Sequence, residues 1–114
     1  VLDLVVETGV SLEVCPGSNV ALGVFDTDDE VPLRTLLSRG ATVALGADDP
    51  LIFGTRLVDQ YEVARSVHGL DDPALAELAR MSVRASRAPH EVRDTAYADI
   101  DAWLAAAPGG VIPA

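Results

Sequence analysis

The chain has 114 residues, and its 8 Lys+Arg against 18 Asp+Glu give a formal charge of −10; so acidic a surface repels phosphate backbones and argues against nucleic acid as a partner. The cations are all arginine, which excludes a Schiff-base lysine, a P-loop lysine and a Ser-Lys pair, and a single cysteine, Cys15, with only His68 and His90 excludes an internal disulfide and a finger-type zinc site. At 49 % apolar residues the chain is expected to bury one core, while no apolar run reaches the roughly 18–20 residues of a membrane helix, so the expectation is a soluble, cytoplasmic protein with no membrane partner.

The N-terminus VLDLVVETG lacks the basic flank and cleavage site of a signal peptide, and it begins without Met inside an apolar stretch, as a piece of a longer chain would. Leu2, Val5 and Val6 fall at i, i+3 and i+4 with Gly9 at a C′ position, which predicts a helix over residues 1–8. Ser11 to Cys15 alternates as a strand does and meets the breaker cluster Pro16-Gly17-Ser18-Asn19, expected as a loop. The acidic stretch Asp26 to Glu30 lacks the glycine and terminal Glu of a calcium loop and reads as a solvated helix entrance. Pro32, the stripe Leu33, Leu36 and Leu37, and Gly40 then outline a short helix.

Residues 41–46 form a continuous small-apolar run, the pattern of a parallel strand buried on both faces. Beyond Asp48-Asp49-Pro50, a long helix is expected from Thr55, marked by Leu57, Tyr61, Ala64 and Val67-His68 and closed by Gly69. A second is expected with Asp72 as its cap and Pro73 at its first position, running to about Ser86. Pro89 opens a third, to about Ala106, lined on one face by Val92, Ala96, Ile100, Trp103 and Leu104. Trp103 and Tyr97 read as core or docking residues, and residues 108–114 as a loose tail. Two strands joined through a helix make a βαβ unit with a right-handed crossover, but a parallel pair needs further strands beside it.

Asp48-Asp49 carries the strongest chemical signal. Two adjacent carboxylates after an apolar parallel strand cost desolvation and repel unless a cation or donor compensates. Ligands and metals bind at the carboxyl ends of such strands, so one carboxylate can take a metal and its neighbour a substrate. The alternative is a helix cap or Asx-turn ahead of Pro50. Cys15 ends the earlier strand; no His stands at a spacing that would make it a nucleophile, which favours a buried thiol.

Leu12-Glu13-Val14-Cys15-Pro16-Gly17-Ser18-Asn19, Pro32-Leu33 opening a helix, and Gly40 to Leu45 leading into Asp48-Asp49-Pro50-Leu51-Ile52-Phe53-Gly54 resemble the C-terminal part of the adenosine deaminase family, with its CPxSN and DDPxxF motifs in order. The resemblance covers most of residues 1–88. Val31 stands where most relatives have His, and Ala47 where they have Thr; neither position carries the family's chemistry.

The resemblance implies an α/β fold: the last two βα units and C-terminal helices of a TIM (β/α)8 barrel, with residues 1–107 as the barrel portion. A barrel of this kind takes roughly 200–250 residues at the least, so the upstream part is a required partner. The implied activity is zinc-dependent hydrolytic deamination of adenosine and deoxyadenosine, with one Zn2+ per full-length chain. By that resemblance Asp48 is a zinc ligand, Asp49 holds the purine of the nucleoside substrate, and Ser18 and Asn19 wall the site. The family's HxH motif, third zinc-binding His, proton-donating Glu and second catalytic His are not among these residues. The alternatives are a related purine or nucleoside-analogue deaminase, and a non-catalytic remnant or interaction domain.

Overall fold

The structure, a computed structural model, describes residues 1–48 and 56–106. In chain order its elements are α1 (Leu2–Thr8), β1 (Ser11–Val14), α2 (Pro16–Ala21), a 3-10 turn (Asp28–Glu30), α3 (Leu33–Ser38), β2 (Thr42–Leu45), α4 (Leu57–Ser66), α5 (Asp72–Ala85) and α6 (His90–Ala106). The strands pair in parallel, Ser11 against Thr42 through Val14 against Leu45.

α1 buries no residue fully, but Leu2 and Val6 lean on the core while Leu4 lies out. It ends where Gly9 takes φ 72° and returns its N–H to the carbonyls of Val5 and Val6, a left-handed cap that costs a glycine little. Gly40, φ 85°, does the same service after α3, so the chain turns back into β2.

Leu12, Val14, Val43 and Leu45 share the face of the strand pair that the helices cover. Val43 is fully buried there, with Leu33, Leu75 and Leu78 in the same cluster. α5 packs along β2 and against α6, and its Leu75, Ala76 and Leu78 point inward. The opposite face carries Ser11 and Glu13, both exposed, and Thr42 and Ala44, half-buried. Burial on both faces of residues 41–46 is therefore corrected to full burial on one face and half-burial on the other.

Further expectations change. Pro16 to Asn19 is not a loop but most of α2, because proline at the first helical position needs no N–H partner and its fixed φ suits the helix. The cap of α5 is Asp71, which accepts from Ala74 N–H at 3.0 Å, rather than Asp72. Asp72 is instead 4 % exposed and bonded to Arg65 at 2.5 Å, tying α4 to α5. α4 ends at Ser66, so His68 lies beyond it. On α6, Trp103 leans on the core, while Val92 at 56 % exposure leaves the expected stripe. The expected start at Thr55 and the tail 108–114 lie outside the described residues. No helix among the described residues is long and apolar enough to cross a membrane.

Candidate functional site

The carboxyl ends of both strands meet at one place. The backbone ladder continues one step past β2, with Gly46 N–H donating to the Val14 carbonyl at 2.9 Å, and Gly46 faces the open side. A Cβ there would stand 3.2 Å from both Cys15 Sγ and Glu13 Oε1, tighter than ordinary packing, so the glycine leaves room for a thiol and a carboxylate side by side.

Asp48 follows, exposed, with φ 59°. A left-handed backbone at a non-glycine residue is uncommon, and aspartate is one of the few types that tolerates it. Such backbone outliers cluster at working sites, where surrounding structure holds them. Asp49 lies outside the described residues.

Burial first, then the Glu13 and Asp48 carboxylates, push the Cys15 thiol above its ordinary pKa, with a backbone hydrogen bond at Asp48 pulling the other way. The raised pKa keeps Cys15 a thiol, the opposite of what a nucleophile requires. Its nearest ionisable neighbours are carboxylates, not histidine.

Ser18 is buried, and its hydroxyl donates to the Cys15 carbonyl at 3.3 Å. Asn19 is half-buried, and its carbonyl accepts the N–H groups of Val24 and Phe25 at 2.9 and 3.3 Å. The structure thus sets Asn19 on the helix that leaves the β1 end, with Ser18 committed to backbone. Sequence reasoning missed Gln60, 1 % exposed, whose Oε1 accepts Gly17 N–H at 2.9 Å; a lone polar residue inside a helix pattern gives no signal of a contact so distant in sequence.

His68 belongs elsewhere, beside the Asp28–Glu30 turn. It is 6 % exposed. Burial lowers its pKa, with the Arg34 charge adding to that, against the opposing pull of the Asp28 carboxylate and backbone and of Asp29. Nε2 has no partner among the described residues, as suits a neutral ring. A folded-state pKa below the unfolded value of 6.5 means stability is fully present above that pH and declines as pH falls below it, because the unfolded chain binds the proton first. His68→Gln in the intact protein is therefore expected to flatten the decline of Tm between about pH 6.5 and 5; an unchanged decline would count against this reading.

A zinc site ordinarily takes three or more protein ligands. Among the described residues no group of three or more His, Cys, Asp or Glu is placed to hold a metal ion. Asp48, open at a strand end, fits the chemistry of one anionic ligand, and a metal held there would take its further ligands from outside the described residues.

The sequence profile of the family described as Adenosine deaminase matches residues 1–103. A Streptomyces coelicolor protein provisionally named adenosine/adenine deaminase is 59 % identical over 97 residues, covering 85 % of this chain and 28 % of its own. An adenine deaminase of Rhizobium leguminosarum is 40 % identical over 87 residues, covering 76 % and 27 %. Among solved structures, the adenine deaminase of Arthrobacter aurescens superposes with a TM-score of 0.88 at 32 % identity, over 92 % of this chain and 32 % of that one. The chain spans between a quarter and a third of the length of these relatives. With its profile match, its identities and its superposition in agreement, the chain belongs to the adenosine deaminase family.

Proposed function

We propose that this chain is the C-terminal portion of a cytoplasmic, zinc-dependent hydrolase that deaminates adenosine and deoxyadenosine to inosine and deoxyinosine. In that portion β1 and β2 serve as the last two strands of a (β/α)8 barrel. The observation that carries the proposal is Asp48: an exposed carboxylate, in a left-handed backbone, just past the carboxyl end of a parallel strand in a chain of this family.

Zinc, when bound, supplies the Lewis acidity that makes water a competent nucleophile near neutral pH. Asp48 supplies the negative charge that balances a dication. Asp49 accepts a hydrogen bond from the purine ring and fixes its orientation, and Asn19, on the helix leaving β1, closes the near wall. Glu13 and Cys15 fill the space beneath, with Gly46 as the gap that admits them. The names of relatives favour a second reading, adenine as the free base, since the Rhizobium leguminosarum and Arthrobacter aurescens proteins are both called adenine deaminases.

Steady-state deamination by the intact, zinc-loaded protein separates the two. Adenosine is expected to exceed adenine in kcat/KM by about tenfold or more, a difference of about 1.4 kcal/mol in transition-state binding. The reverse ratio would move the substrate to the base, and no ammonia release from either would leave a related purine or nucleoside analogue as the substrate, or a non-catalytic role.

A further inference from the structure

Gln60 on α4 is 1 % exposed, and a buried amide costs free energy unless its polar ends are bonded. Both ends are. Its Oε1 accepts Gly17 N–H at 2.9 Å, and its Nε2 donates to the Arg56 carbonyl at 3.3 Å. Gly17 is the second residue of α2, whose first-turn N–H groups have no partner within the helix. Cys15 at the N-cap makes no side-chain cap hydrogen bond, and Pro16 has no N–H. The Gln60 carbonyl is thus the missing cap, delivered from another helix.

The other end of the amide holds Arg56, the N-cap of α4, whose own N–H donates to Asp59 Oδ2 at 2.7 Å. Among the described residues the ladder between the two strand ends stops at Gly46 N–H to the Val14 carbonyl. Past the strands, the buried Gln60 side chain ties the segment after β1 to the helix after β2.

We propose that Gln60 is a positioning residue for the deamination reaction: it holds the Pro16–Asn19 wall against α4, so that the Asn19 side of the site keeps its place for a bound aminopurine. This rests on the function proposed above. The clamp itself can be read without turnover, by hydrogen exchange at the Gly17 amide.

The experiment compares the intact protein with Gln60→Leu, which removes both polar ends, and Gln60→Glu, which keeps an acceptor for Gly17. In Gln60→Leu the Gly17 amide is expected to exchange about ten- to hundredfold faster, as for a buried donor that has lost its partner. KM for adenosine is expected to rise about tenfold, with zinc per chain and kcat near parent values. Gln60→Glu is expected to restore both readouts, and it decides alone if Gln60→Leu does not fold: fast Gly17 exchange in Gln60→Glu overturns the proposal. Fast exchange in Gln60→Leu with an unchanged KM also overturns it, leaving a purely structural bond. A protein that deaminates no aminopurine sinks the functional reading and the clamp's role with it, whereas parent-like Gly17 exchange in Gln60→Leu sinks the clamp alone.

Discussion

Asp48→Ala in the intact protein is expected to lose zinc and activity together, while Asp49→Ala keeps zinc and loses turnover. Asp48 stands exposed just past the strand end, two residues beyond Gly46, which Glu13 and Cys15 flank. Neutral imidazole ligands leave a dication uncompensated, so removing the anionic ligand weakens the site by more than the roughly 10–100-fold that supporting residues cost when altered. Asp49 is proposed to meet the purine. Losing a hydrogen bond to an ionised group removes about 1.5–3 kcal/mol, or about ten- to a hundredfold in kcat/KM. Zinc per chain beside steady-state rates reads both. If Asp49→Ala strips the metal and Asp48→Ala retains it, the roles are reversed. If both variants keep zinc and full activity, the pair is only a turn ahead of Pro50.

The 114-residue chain expressed by itself is expected to release no ammonia above background from any aminopurine, and to self-associate. One carboxylate cannot hold a catalytic zinc. The fold also leaves work undone: among the described residues β1 and β2 form a sheet of two strands, each with an unpaired edge, and Val1, Leu4, Val10, Leu22 and Val24 lie exposed. Unpaired parallel edges and apolar surface of this kind recruit other chains. Light scattering with a thermal melt checks the second half. A monodisperse monomer with a sharp cooperative transition would show that the Leu33–Val43–Leu78 core is sufficient alone, and the proposal of an incomplete barrel would fail.

The sequence was most informative where the backbone has little choice. Leu2, Val5 and Val6 with Gly9 gave α1, and the alternation of Ser11 to Cys15 with the apolar run 41–46 gave the two parallel strands, because periodicity and left-handed glycine caps are local properties. It was least informative where two local rules compete. Pro16-Gly17-Ser18-Asn19 reads as a breaker cluster, yet Pro16 at the first helical position starts α2. Asp71 and Asp72 are equivalent as cap candidates until Arg65 arrives to take Asp72. At the candidate site, Asp48 was legible from its charge and its place after a strand. The left-handed backbone of Asp48, the closeness of Glu13 and Cys15 to Gly46, and the reach of Gln60 to Gly17 were not, because each depends on contacts between segments far apart in sequence.

The central claim is that Asp48 binds the metal of an adenosine deaminase-family site. Zinc-edge anomalous diffraction from crystals of the intact protein tests it most directly. One anomalous peak is expected at the carboxyl ends of β1 and β2, with an Asp48 carboxylate oxygen about 2.0–2.2 Å from it. A zinc peak ligated elsewhere, with the Asp48 carboxylate turned away from it, would contradict the account.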